Sequence, residues 1–561
     1  MKYFLSILLI TNIVVAQKTD FLFNKLLETK GRNIKYSQKT ENNINTEKCG
    51  FPLIVDIKLN FNKFTPTQQN VINNILTRPE RQTSIVSPQK HFRIHYDTTG
   101  ANAPDYYNGV PNTIKLSIDS LAIALDSAYH FEINLLGFLP PPSDGTDGGD
   151  ELYDVYISNM GSGYYGWTNY TSIGNGKAKS YIEIDNNMDV YSKGIAGARV
   201  TAAHEFHHAI QVGNYREPIS GDKYYFELTS TSMEEFVFDD INDYYNYLPT
   251  YFHNPDRRFT YNVGGYDRVI WNIFLKEKFE HSEGTPKKGF EIIRRTWEIM
   301  RNKNNSAIKA VSIALSENGL SLKNTFAEFS CWVYFTGNRA KPDFYFTEGE
   351  NYPLIKPFVS YKYEGPKKTY HMSVQPMANN FILFDLSSSG INDTLFSIIS
   401  NSDIKNAEAD PHAKITYEYS LLTKTEEGSN EIAAGYHSKI TSNNIEFLKE
   451  KNVFNNVLIN GNNISRKEID YAYPQPFDYL KHNFLFFPAK LNEKGTATLA
   501  IYSAGMNLVY NGEKKIYNNE KVVVRWDGKD FYGNKLSTGI YIYVTNSNGN
   551  VITGKIAIIN K

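Results

Sequence analysis

The chain has 561 residues, 59 Lys+Arg against 60 Asp+Glu, and 2 Cys. That length suggests roughly three or four domains, and a net charge of -1 gives no global electrostatic reason to bind nucleic acid or an anionic membrane. Hydrophobic residues at 41% exclude a disordered chain, and two cysteines exclude a disulfide-dense scaffold or a four-thiolate zinc module.

Residues 1–16 read MKYFLSILLITNIVVA. One Lys before an interrupted apolar run predicts a secretory signal peptide cleaved after Ala16. The run is too short to span a ~30 Å hydrocarbon core. We see no other apolar stretch near 18 residues. The expectation is a secreted, extracellular protein, free or attached to the cell surface, with no integral membrane span.

Residues 17–86 are polar, rich in Asn, Lys and Thr, and carry Cys49. They read as an N-terminal arm or propeptide, helical over Gln68–Leu76. From His91 the texture changes. His91–Gly100 alternates like a strand. Val110–Gly137 is a long amphipathic helix with Ile114, Ile118, Leu121, Leu125, Ala128 and Leu135 on one stripe. Tyr153–Ser158 and Ser180–Asp185 are strands, separated by a Gly/Tyr-rich stretch. Helices follow at Gly194–Gly213, from Tyr224 to about Tyr245, and from Asp267 to about Phe335. Strand, helix, strands and then helices describe an α+β unit over 87–350. Past Lys356 the helical signal vanishes. Asn380–Leu386 and Ile415–Ser420 alternate, predicting a β-sandwich over 356–465. Thr496–Tyr502, Lys521–Trp526 and Gly539–Thr545 have the spacing of a small Ig-like sandwich over 470–561. The fold class is therefore multidomain: α+β followed by two all-β units.

The chemistry concentrates at residues 202–211, AAHEFHHAIQ. His204 and His208 are four apart, so a helix puts both imidazoles on one face, where they can converge on one metal ion. Glu205 then lies beside the open coordination position, as the general base for a water activated by zinc. Eighteen residues separate His208 from Glu227, which lies early in the next helical segment and supplies a third ligand. Glu234 is seven residues beyond Glu227, on the same face, placed to orient a ligand imidazole through its other nitrogen. His207 points about 100° away from His208 and is not expected to be a ligand.

This pattern resembles the gluzincin branch of zinc metallopeptidases. It is closer still to secreted bacterial metalloprotease-like proteins that share segments like FRIHYDTTGANAP (92–104), YDVYI (153–157), SYIEID (180–185), TAAHEFHHAIQ (201–211) and FELTSTSMEEFVFDDINDY (226–244). The likeness covers about residues 85–350. It implies a zincin fold with SYIEID as the edge strand above the metal. Such an edge can pair with an extended peptide, which favours a polypeptide substrate. Gluzincins place a Tyr or His beyond the glutamate helix as oxyanion donor. Tyr261 and Tyr266 are the candidates, and Tyr266, after Gly264 and Gly265, is preferred. Gluzincins often carry a carboxylate four residues after the ligand Glu; Thr231 stands there, with Glu234 as the substitute.

Asp144, Asp147 and Asp150 lie three apart in a loop and could hold calcium, although they match no EF-hand pattern and a plain turn suits them better. Cys49 lies in KCGFP, which resembles the Cys-Gly-x-Pro core of a propeptide cysteine switch from another zincin branch. The alternatives are a disulfide with Cys331 or free thiols. The C-terminal segments YPQPF (473–477) and WDGKDFYGNKLSTGIYIYV (526–544) resemble Ig-like modules of the flagellar hook-capping type. They also resemble sorting domains of the type IX secretion route, which implies secretion machinery as a partner.

These features predict a secreted zinc metalloendopeptidase, a hydrolase that cleaves peptide bonds. His204, His208 and Glu227 bind Zn2+, Glu205 is the base and Tyr266 the oxyanion donor. The alternative is a non-catalytic surface or substrate-binding protein built on a vestigial zincin domain.

Overall fold

The structure is a computed structural model. It describes residues 18–29, 48–362 and 375–385 apart from positions 162, 220, 262, 263 and 376, short strand pieces between 395 and 459, and 471–560 apart from 493–494 and 518–521. The expected signal peptide lies outside the described residues. So does most of the β-sandwich expected over 356–465. Its described pieces include Val359–Lys362, which pairs in parallel with Ile382–Asp385.

Among the described residues, two hydrophobic cores organise the structure. The first belongs to an α+β unit. Helix α1 (residues 18–28) is followed by α2 (Phe51–Leu59) and α3 (Pro66–Ile75). Thr65 caps α3 in a capping box with Gln68, satisfying two end groups of the helix. Five strands then build one sheet: β1 (Thr83–Val86), β2 (Phe92–Tyr96), β3 (Tyr153–Ser158), β4 (Gly166–Gly174) and β5 (Lys177–Asp185). Their spatial order is β1-β2-β3-β5-β4. β2, β3 and β5 are parallel, while β1 and β4 are antiparallel to their neighbours.

This order corrects one expectation. SYIEID, within β5, is not the edge strand. The Gly/Tyr-rich stretch forms β4 and takes the edge. Its Trp167 and Tyr170 are buried, so the segment has an apolar side to pack although its glycines disguise the alternation.

α4 (Ile114–Tyr129) buries Ile118, Leu121, Leu125 and Ala128 as the stripe predicts. Its regular turns stop at Tyr129. A wider turn over His130–Leu135 shifts the register, and Leu135 is 62% exposed. α5 (Gly194–Ile210) and α6 (Lys223–Val237) follow. α6 ends before the expected Tyr245, where Phe238 leaves helical geometry. α7 (Leu248–His253), α8 (Val269–Glu283), α9 (Lys287–Met300), α10 (Ala307–Glu317) and α11 (Leu322–Tyr334) complete the unit. Leu26, Phe51, Ile54 and Ile57 of the arm lie in the same core as Ile157, Val200 and Phe274. Burial of such side chains contributes about 1.5–3 kcal/mol each, so the described part of the arm is packed rather than draped.

The second core belongs to the C-terminal unit. Seven strands run in the order Phe477–Asp478, Asn550–Ile559, Gly539–Ser547, Thr496–Ser503, Leu508–Tyr517, Val523–Trp526 and Leu485–Pro488. Trp526, Phe487 and Tyr543 are buried at its centre. Asp343 of the α+β unit accepts from Tyr517 and pairs with Arg525, each at 2.8 Å. Among the described residues, no helix is long and apolar enough to cross a membrane.

Candidate metal centre

α5 and α6 lie side by side, with β4 and β5 beneath α5. The helical period puts His204 and His208 on the face of α5 toward α6, and Glu227 on α6 meets them. His204 Nε2 and His208 Nε2 are 3.2 Å apart. Each lies 3.3 Å from a different Glu227 oxygen. All three residues are buried.

The far side of each imidazole fixes what the near side can do. His204 donates Nδ1–H to Glu234 Oε1 at 2.6 Å. His208 donates Nδ1–H to Gln211 Oε1 at 2.8 Å, and Ser230 Oγ is 3.1 Å away. The Gln211 amide is oriented by donating to Phe226 carbonyl and Thr229 Oγ1. With both Nδ1 positions used as donors, the two Nε2 lone pairs face one another. Two lone pairs and a buried carboxylate at these distances need a cation among them.

A zinc ion fits. Tetrahedral bonds of about 2.0–2.1 Å place donor atoms about 3.3–3.4 Å apart, close to the 3.2–3.3 Å separations here. Neither Glu227 oxygen has a hydrogen-bond partner of good geometry. Protonation would be the substitute for metal. Burial disfavours charge on His204, but the neighbouring carboxylates of Glu227 and Glu234 outweigh this and raise its pKa to about 9. Burial likewise opposes the Glu227 charge, and His208 and His204 overcome it, lowering its pKa to about 2.

Glu205 adjoins the cluster. Its Oε2 accepts from Thr168 on β4 at 2.8 Å, while Oε1 is buried without a hydrogen-bond partner. β4 can come this close because residue 166 is glycine. A Cβ there would stand 2.8 Å from Glu205 Cγ and 2.9 Å from Thr201 Cγ2. The Tyr266 ring is stacked near His204, with centroids 5.9 Å apart. It follows Gly265, whose φ of +146° and missing Cβ bring the chain against Tyr224 carbonyl and Glu227 Cβ. Tyr261 is 38% exposed and packs with Arg257 and Arg258 instead. His207 turns away, as expected, and bonds Glu132 at 2.7 Å.

Cys49 completes the cluster. One donor atom from each of Cys49, His204, His208 and Glu227 lies within 4.8 Å of every other. No disulfide joins Cys49 to Cys331, which overturns that alternative. Cys331 Sγ bonds Ala327 carbonyl within α11, and Cys49 is held at the centre. The loop carboxylates weighed as a calcium site against a plain turn also diverge. Asp144 pairs with Arg78, Asp147 with Lys179 and Asp150 with Arg93. Three cations from three segments neutralise them separately, so they form no shared oxygen cage.

Sequence reasoning missed three participants. Gln211 stands three residues past His208 on the same helix face, and that spacing could have identified it. Lys48 and Asp243 gave no such signal. Lys48 Nζ lies 2.5 Å from both Glu234 Oε2 and Asp243 Oδ2 in a buried triad.

No family model matches the chain, and no curated protein is similar to it. Two solved structures, both from Porphyromonas gingivalis, show slight similarity. One is PorZ, a bacterial surface component of the type-IX secretion system, at 18% identity and TM-score 0.13 over 16% of this chain and 11% of that one. The other is dimeric latent PorU, at 21% identity and TM-score 0.13 over 19% of this chain and 11% of that one. Both matches span about a tenth of the neighbour's length, and likeness at this level carries no argument about function.

Proposed function

We propose that the chain is a zinc-dependent metalloendopeptidase of gluzincin type, exported and acting on polypeptides. The observation that carries it is the convergence of His204, His208 and Glu227, with Glu205 alongside and the Tyr266 ring against His204. His204, His208 and Glu227 would hold the zinc. Bound zinc supplies Lewis acidity toward a scissile carbonyl and makes water acidic near neutral pH. Glu205 takes the proton of the attacking water and returns it to the leaving amine. Tyr266 donates its hydroxyl hydrogen to the carbonyl oxygen as charge develops there. Glu234 and Gln211 keep the imidazoles in register. β4, as the last strand of the sheet, would offer backbone groups to an extended substrate. The C-terminal β unit is read as an Ig-like sorting module that engages secretion machinery.

Glu205→Gln tests the mechanism. The variant is expected to keep one zinc per chain while casein hydrolysis falls by roughly 10³-fold or more. Hydrolysis at the parent rate would refute it.

A second reading is favoured by one observation. Four protein donors, two His, one Glu and one Cys, make a closed set, as in structural zinc sites. On that view the domain is a non-catalytic surface or substrate-binding module. Stoichiometric zinc without hydrolysis of any peptide library, even after Cys49 is removed, would support it.

A further inference from the structure

Residues 48–51 touch nearly every group assembled at the centre. Cys49 Sγ is the fourth donor. The backbone runs parallel to edge strand β4, with Cys49 bridged to Gly166. Gly50 N–H donates to Gly166 carbonyl at 2.8 Å, and Tyr165 N–H donates to Lys48 carbonyl at 2.7 Å. Cys49 N–H donates to the Tyr266 hydroxyl at 3.2 Å. The Phe51 ring stacks on His208 with centroids 4.0 Å apart. Lys48 enters the pocket of Glu234 and Asp243 beside the Tyr247 ring. A stretch of the chain itself therefore occupies the edge on which an extended peptide would lie.

We infer that this segment is a tethered inhibitor, with the Cys49 thiolate as fourth metal ligand and Lys48 as the latch that seats it. The inference rests on the zinc-peptidase reading above. A thiol alone would not carry it. The buried Glu205 Oε1 and both Glu227 oxygens, none with a hydrogen-bond partner, independently mark a site built around a cation. As fourth ligand the thiolate would take the place of the reactive water, which would spare the segment's own peptide bonds. The chemistry is reversible. The thiol gives its proton to solvent when sulfur ligates. When the segment leaves, sulfur regains a proton and water enters.

Glu234 joins the latch to the centre. Its Oε1 accepts from His204 and its Oε2 pairs with Lys48. Seating of the arm and orientation of a metal-holding imidazole thus share one carboxylate. Phe51, Ile54 and Ile57 of α2 are in the core, so burial as well as ligation holds the plug.

The test uses the full-length chain carrying Cys331→Ala, which leaves one thiol, loaded with Co2+ alone or Zn2+ alone. The cobalt form is expected to show thiolate-to-cobalt charge-transfer absorption. Cys49→Ser should abolish that band while retaining one cobalt per chain. In the zinc form, Lys48→Gln should speed reaction of the thiol with a disulfide reagent by at least roughly tenfold. The double variant Lys48→Gln/Cys49→Ser should cleave casein at least about tenfold faster than the parent, because a tethered occupant competes at about millimolar effective concentration. One bound metal with neither thiolate band nor thiol protection would overturn the plug and leave the metal reading intact. A thiolate band without gain of activity in the double variant would overturn inhibition and make Cys49 a structural ligand. Failure of both metals to bind would sink the underlying reading and the inference with it.

Discussion

Lys48→Met isolates the buried triad. In the native chain one ammonium serves two carboxylates at 2.5 Å each, and all three side chains are nearly inaccessible. Burial opposes the charge on Lys48, but Asp243 and Glu234 more than compensate and hold its pKa well above the usual lysine range. Asp243 is held below its usual value by Lys48 against the cost of burial. Methionine fills similar volume but leaves two carboxylates without their cation. Removing one partner of a buried pair typically costs about 3–5 kcal/mol. The carboxylates can recover hydration only if residues 48–51 lift away, so the loss should appear as arm opening. At about 1.4 kcal/mol per decade, the open fraction rises roughly 10²–10⁴-fold. Native-state hydrogen exchange reads this directly. Amides of Gly50 and α2 should exchange faster by that factor, while strand Gly539–Ser547 in the second core should be unchanged. Adding Asp243→Asn should return part of the loss, because it removes one uncompensated charge. Unchanged protection over residues 50–59 in a folded Lys48→Met protein would refute the reasoning.

Three further outcomes follow from the same geometry. Glu277 on α8 is buried, and burial raises its pKa to about 7 despite accepting the Thr347 N–H at 2.7 Å. Its unfolded form ionises first, so stability should fall between about pH 4.5 and 7 by about 3 kcal/mol and then level off; Glu277→Gln should remove that slope in urea midpoints measured across the range. Gly166→Ala should push Glu205 aside and lower peptide cleavage by roughly 10²-fold with zinc content retained. Wild-type rates in that variant would show that Glu205 need not sit against β4. Gln211→Leu should weaken zinc binding by about 10–100-fold in competition with a chelator, because His208 loses the acceptor that fixes its ring.

The sequence alone determined the parts of the centre that obey helical geometry. The four-residue step from His204 to His208 and the seven-residue step from Glu227 to Glu234 are fixed by one period, whatever the rest of the chain does. Glu234 was legible as the partner of the His204 imidazole for that reason. Tyr266 was singled out by the gluzincin likeness and its place after Gly264 and Gly265, and its ring stacks near His204. The tertiary structure decided everything that depends on pairing distant segments. β4 rather than β5 holds the sheet edge because strand order is set by long-range hydrogen bonds, which alternation within a segment does not encode. The loop aspartates meet Arg78, Lys179 and Arg93 because three separate segments fold over them. Cys49 and Lys48 reach the centre because α2 buries its apolar side chains in the core, which carries the residues just before it onto β4. Local periodicity could name the face of α5 that carries both imidazoles, but only packing could show that the chain's own arm covers it.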